Sequence, residues 1–111
     1  MINMDLSVVI VNYQTFELTK NTINSIFENE CSFEYEILVV DNASSDDSLA
    51  KLKEYFGDKV TFIASKENNG FAAGNNQALR IAKGKYVLLL NSDTIVWENT
   101  LNNIYNYMEN H

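Results

Sequence analysis

Four short apolar runs, at residues 6–11, 36–40, 60–64 and 86–90, punctuate the chain, and none of them alternates with polar residues. A strand with one wet face alternates, whereas a strand covered on both faces does not. The runs therefore predict a parallel sheet whose connections are helices lying on its two faces. The intervening segments agree. Leu18, Ile23, Ile26 and Phe27 make one apolar stripe at helical spacing, and Leu49, Leu52, Tyr55 and Phe56 make another. A third helix is expected over residues 71–83, with Gly84 as its left-handed cap, and Leu101, Ile104, Tyr105 and Met108 predict a fourth. Ser44 with Asp47 has the pattern of a capping box for the second helix, and Glu17 puts negative charge at the positive end of the first. Ala72-Ala73-Gly74 is small enough for close backbone packing.

Right-handed crossovers turn this alternation into a doubly wound, Rossmann-like α/β sheet, most simply in strand order 3-2-1-4 with helices on both faces. The sequence has no proline, repeat or low-complexity tract that would mark a linker, so a single domain over residues 1–111 is expected. Sheets of this kind bind ligands beyond the carboxyl ends of their strands, where the winding reverses. The residues placed there are Asn12, Asp41, Ser65 and Asn91, with Asp93 close behind.

Charge narrows the ligand. Acidic residues outnumber basic ones by 15 to 8, and a net charge of -7 argues against a nucleic-acid backbone or an anionic membrane surface as the main partner. A carboxylate-rich site needs a cation before it can meet phosphate. The single Cys31 excludes an internal disulfide framework. No apolar stretch approaches the roughly 18 residues that span a bilayer, and a cytoplasmic location follows as an expectation.

Leu90-Asn91-Ser92-Asp93-Thr94 follows the fourth run directly, with an amide and a carboxylate two residues apart. One carboxylate, waters and substrate phosphates are how Mg²⁺ or Mn²⁺ is usually held beside nucleotides, which makes Asp93 the metal-ligand candidate; the alternative is an Asx turn that ends the strand. Asp41, at the tip of the second run, has the acceptor oxygens to take a nucleobase ring N–H or ribose hydroxyls. Asp46 and Asp47 read as turn and cap residues. Asn12 and Tyr13 can flank a base by hydrogen bonding and stacking, or form a polar turn. Gly70 permits unusual backbone angles beside a ligand, ahead of a helix start that offers amides to negative charge. The glycines around it match neither the dinucleotide-binding nor the phosphate-loop spacing.

Four signatures now stand in order: Ser7-Val8-Val9-Ile10-Val11-Asn12-Tyr13, Val39-Val40-Asp41-Asn42-Ala43-Ser44, Asn68-Asn69-Gly70-Phe71-Ala72-Ala73-Gly74-Asn75-Asn76 and Leu89-Leu90-Asn91-Ser92-Asp93-Thr94. Together they resemble the N-terminal, nucleotide-sugar-binding half of a family-2 glycosyltransferase with a GT-A fold, in the rhamnosyltransferase-like branch. The resemblance implies that Asp41 contacts a uracil or thymine ring and that Asn12-Tyr13 lies against base and ribose. It also implies that Asn68 and Gly70 line the nucleoside side, and that Asp93 coordinates a divalent metal bridging the diphosphate. Asn91 stands where the family often has a second acid, and an amide there can bond to ribose. Asn75 stands where some relatives carry arginine.

By the same resemblance the reaction is transfer of a sugar from a UDP- or dTDP-linked donor to a glycan or lipid-linked acceptor, with inversion, in cell-surface polysaccharide synthesis at the inner face of the membrane. The general base of such enzymes comes from the C-terminal half, so no residue here is assigned to it. A nucleotide-binding module without turnover is the alternative, and self-association through surface that the other half would cover, on the helix carrying Tyr105 and Met108, is an expectation. A phosphoacceptor receiver domain fits the length and charge but needs paired acids where Asn12-Tyr13 stands.

Overall fold

The computed structural model describes residues 4–111. In chain order the elements are β1 (Met4–Asn12), α1 (Phe16–Phe27), β2 (Tyr35–Asp41), α2 (Ser48–Phe56), a 3₁₀ turn (Gly57–Lys59), β3 (Thr61–Ala64), α3 (Phe71–Leu79), β4 (Gly84–Leu90) and α4 (Thr100–Asn110). The strands form one sheet in the order β3-β2-β1-β4, and every pairing is parallel. The expected doubly wound topology is therefore the observed one.

Register decides which side chains share a face. Val8 pairs with Ile37 and Leu88, and Ile10 with Val39 and Leu90, so these positions lie on one side of the sheet. There they pack against Ile23 and Ile26 of α1, Leu52 and Phe56 of α2 and Leu101 of α4. The other side is thinner: Val9, Leu38 and Val40 are covered by Ala78 of α3, with Val11, Ile63 and Ala82 around them. Each fully buried Val, Ile or Leu contributes about 2 kcal/mol, so the α1/α2/α4 side holds most of the hydrophobic stabilisation.

Two expectations need correction. Burial on both faces holds for β1 and β2 but not for the edge strands: no residue of β3 is fully buried, and in β4 Val87 and Leu89 are 40% and 45% exposed. The reason is placement: α3 lies mainly against β1 and β2. Gly84 is not a left-handed helix cap either, since α3 ends at Leu79 and Gly84 is the first residue of β4. The left-handed glycines are Gly57, at the end of α2, and Gly70. At Gly84 the constraint is contact: a Cβ there would stand 2.7 Å from both the Leu6 carbonyl carbon and Ser7 Oγ. Close packing at Gly74 is as expected, with Val11 methyls 3.2 Å from where its Cβ would be. The predicted exposure on α4 is mixed: Met108 is exposed, while Tyr105 stacks on Phe33 at 4.3 Å between ring centroids. Among the described residues, no helix is long and apolar enough to cross a membrane.

Candidate functional site

The topology sets the carboxyl ends of β2, β1 and β4 side by side, and the loops that leave them carry most of the sequence-predicted residues. Asn12 and Asp41 are register partners. Their side chains meet in a buried polar cluster: Asn12 Nδ2 donates to Asp41 Oδ1 at 2.8 Å and to Ser48 Oγ at 3.2 Å. Asn12 Oδ1 accepts from Thr19 Oγ1 at 2.7 Å and Thr15 Oγ1 at 3.0 Å. With 0% exposure and both ends of its amide engaged, Asn12 is a brace under the site, and its side chain faces inward instead of toward a ligand. Tyr13, the next residue, is 44% exposed.

Asp41 is 4% exposed. Its Oδ1 accepts from Asn12 Nδ2 and from Ser44 Oγ at 2.7 Å, whereas Oδ2 takes only the Ser44 N–H, at 3.1 Å, among the described residues. A carboxylate oxygen has room for two donors, so Oδ2 retains a vacant acceptor direction. Ser44 thus serves Asp41, which corrects its reading as a capping-box residue: α2 starts at Ser48, and it is Asp46 that accepts from the Ser48 N–H and Oγ, at 3.1 and 2.6 Å. Those two bonds lower the Asp46 pKa from its ordinary value. Asp46 is structural, as its turn-like surroundings suggested. Gln14 and Ala43, which follow β1 and β2, have φ of 53° and 60°, a left-handed conformation uncommon outside glycine. Gln14 N–H donates to Ser44 Oγ at 2.8 Å, tying the two turns together.

Because Asn12 holds a buried carboxylate and two threonine hydroxyls, Asn12→Leu strands several polar groups at once. We expect a loss of about 3 kcal/mol in urea denaturation. A loss under about 0.5 kcal/mol would show that the cluster tolerates the gap.

Asn68 and Gly70 are drawn to the same end by Asn42, a residue of the second signature with no site role expected of it. Asn42 Nδ2 donates to Asn68 Oδ1 at 2.8 Å and to the Gly70 carbonyl at 3.1 Å. The signal available was its position directly after Asp41. Gly70 has a φ of 95°, as its predicted role requires, and is the N-cap of α3. Asn42 Oδ1 and Asn75 Oδ1 are both buried without a hydrogen-bond partner among the described residues.

Asn91 and Asp93 lie on the other side of β1, beyond β4. Both are exposed, and neither side chain makes a hydrogen bond or ion pair among the described residues. Their turn is held by other groups: Thr94 N–H donates to the Asn91 carbonyl at 3.3 Å, and Thr22 Oγ1 of α1 donates to the Ser92 carbonyl at 2.9 Å. The Asp93 carboxylate therefore closes no Asx turn. Among the described residues, no three or more His, Cys, Asp or Glu side chains gather into a metal-binding group. Asp93 offers one carboxylate, so a cation held there would have to fill its other positions from water and phosphate, the habit of Mg²⁺ and Mn²⁺. Asp41 and Asp93 are not brought into contact. They flank the end of β1 from β2 and β4, strands about 10 Å apart at ordinary sheet spacing.

A family model for "Glycosyl transferase family 2" matches residues 7–111. The chain belongs to that family. The family's relatives include an uncharacterized glycosyltransferase of Bacillus subtilis, YfnE, 39% identical over 83% of this chain and 24% of its own length. A crystal structure of TarS from Staphylococcus aureus superposes with a TM-score of 0.84 at 27% identity, covering 97% of this chain and 33% of that one. TarS is a poly(ribitol-phosphate) β-N-acetylglucosaminyltransferase, and its structure is known with UDP-GlcNAc and with UDP. The mannosyltransferase PcManGT of Pyrobaculum calidifontis, in complex with GDP-Man and Mn²⁺, matches 84% of this chain and 28% of its own at a TM-score of 0.68 and 26% identity. The chain thus spans about a quarter to a third of the length of these relatives. The likeness to TarS makes the sheet a GT-A fold, as the family-2 signatures imply.

Proposed function

We propose that the carboxyl ends of β2, β1 and β4 bind the nucleoside diphosphate sugar of a family-2 glycosyltransferase, with a UDP- or dTDP-linked donor. The observation that carries this reading is the pair of acidic residues on either side of β1. Asp41 on β2 is fixed by Asn12 and Ser44 with one acceptor direction vacant, and Asp93 beyond β4 is uncommitted. A pyrimidine ring N–H suits Asp41 Oδ2, the exposed ring of Tyr13 is a surface on which the base stacks, and Asn68 and Gly70 line the nucleoside side. The diphosphate then runs across the end of β1 toward Asn91 and Asp93. Asp93 would hold a divalent cation, Mn²⁺ or Mg²⁺, which when bound offsets the charge of the diphosphate. TarS with UDP-GlcNAc and PcManGT with Mn²⁺ support the donor class and the metal.

The reaction is transfer of the sugar, with inversion, to a glycan or lipid-linked acceptor in cell-surface polysaccharide synthesis at the cytoplasmic face of the membrane. No residue here is assigned as the general base. A second reading is donor binding without turnover. The two readings are separated by release of free sugar or transfer from the donor, which binding alone does not produce.

The test of the site is a thermal-shift series with UDP, dTDP, ADP and GDP in the presence of Mn²⁺. UDP or dTDP should stabilise the chain most, by about 2.7 kcal/mol at a hundredfold excess over Kd. Equal shifts for all four would remove Asp41 from base recognition.

A further inference from the structure

We propose that Asn42 is a positioning residue for nucleotide binding, holding residues 68–70 in the shape that forms the nucleoside side of the site. The inference rests on the donor-site reading above, and it adds a residue to which the predicted site gave no part.

The segment leaving β3 is anchored at its base, where Ser65 N–H donates to the Asp41 carbonyl at 2.9 Å. Its tip is different. Among the described residues, Asn42 is the only side chain from outside residues 65–70 that hydrogen-bonds residues 66–70. The tip is otherwise exposed, and at Gly70 it adopts a φ of 95° with open space around the α-carbon. Asn68 Oδ1 accepts from both Asn42 Nδ2 and the Gly70 N–H, and the Gly70 carbonyl accepts from Asn42 Nδ2 and the Gly74 N–H. One amide nitrogen thereby closes the tip from both sides.

The chemistry of the position is specific. Both partners are acceptors, so it needs an uncharged group that donates two hydrogens from one atom, which a carboxamide does and a hydroxyl or carboxylate does not. The backbone N–H of Asn42 donates to the Asn12 carbonyl at 2.8 Å, so Asn42 also joins the tip to the braces beneath Asp41.

Stability alone is a weak reason to keep this arrangement, because each partner of Asn42 Nδ2 keeps another donor, the Gly70 N–H for Asn68 Oδ1 and the Gly74 N–H for the Gly70 carbonyl. Asn42 is 3% exposed, and its Oδ1 has no hydrogen-bond partner among the described residues. Leucine has nearly the same shape and buries no orphaned acceptor, whereas an unpaired buried oxygen disfavours the fold. What leucine cannot do is hold the tip. Binding to a segment that is correctly shaped only part of the time weakens in proportion to that fraction.

The experiment compares the wild-type chain with Asn42→Leu, and with Asn42→Ala should the leucine variant fold poorly. The melting temperature, the amide exchange of Gly70 without nucleotide, and the calorimetric Kd for UDP and dTDP are measured on folded protein. The expected result is a melting temperature within a few degrees of wild type, faster exchange at Gly70, and a Kd about tenfold higher. A variant that binds nucleotide as tightly as wild type, or that leaves Gly70 exchange unchanged, overturns the role of Asn42 and leaves the donor site standing. A wild-type chain that binds neither nucleotide overturns the donor-site reading, and this role with it.

Discussion

Asp93→Asn should abolish the manganese-dependent part of nucleotide binding and leave the fold intact. The carboxylate is exposed and makes no hydrogen bond or ion pair among the described residues. The turn around it depends on the Asn91 carbonyl, Thr94 and Thr22, all of which the substitution spares. A stability change within about 0.5 kcal/mol is therefore expected. Binding is another matter, because an amide brings a neutral oxygen to a divalent cation in place of a charged one. In wild type the Kd for UDP or dTDP should be at least about tenfold lower with Mn²⁺ than with EDTA, a difference of about 1.4 kcal/mol, and in the variant the ratio should fall to about one. A further sign distinguishes a ligand from a bystander. On a chain of net charge -7, removing one carboxylate beside the diphosphate relieves repulsion, so metal-free binding should be no weaker than in wild type. A metal increment that survives the substitution would take Asp93 out of the site.

Gly84→Ala should be the most disruptive of the small substitutions. The new methyl group would stand 2.7 Å from the Leu6 carbonyl carbon and from Ser7 Oγ, and the former belongs to the backbone of the central strand, which has nowhere to move. The strands must part where Gly84 N–H donates to Ser7 Oγ at 2.8 Å. Ser7 Oγ in turn donates to Glu36 Oε2 at 2.6 Å, and the Lys83 N–H donates to the same oxygen at 2.7 Å. The contact therefore disturbs β1, β2 and β4 together. A loss of about 3 kcal/mol in urea denaturation is expected. Because β4 delivers the loop carrying Asp93, nucleotide binding should weaken as well. A loss under about 0.5 kcal/mol would mean that β4 shifts freely along this edge.

Much of this was legible in the sequence, for reasons that differ from residue to residue. The runs at 6–11 and 36–40 are apolar without alternation because helices cover β1 and β2 on both faces, and that pattern points to a parallel sheet. The run at 86–90 looks the same, yet Val87 and Leu89 are open to solvent. Composition records that a face is apolar and says nothing of whether a cover is present. A glycine after a helical stretch, such as Gly84, has two explanations, a left-handed angle and a close contact, and only the packing around it separates them. For Asn12 and Asp41 the sequence placed both at a strand end. Which of the two turns inward is decided by Thr15, Thr19 and Ser48, hydroxyls with no distinguishing pattern of their own. Asn42 was hidden in the same way, since two hydrogen bonds from one amide leave no trace in spacing.

The central position of β1 also has a consequence for how the chain reaches its fold. Leu6 pairs with Tyr35 on one side and with Tyr86 on the other, so β1 completes its ladder only when β4, the most distant of the four strands in sequence, arrives. Closing so long a loop brings an entropic cost before the pairing returns anything, which makes this step slow compared with helix formation. Until β4 docks, one edge of β1 stays open to any extended segment nearby. Substitutions that weaken the β1–β4 seam should therefore lengthen the life of an aggregation-prone intermediate as well as lower stability, and newly synthesised chains would suffer from them more than chains already folded.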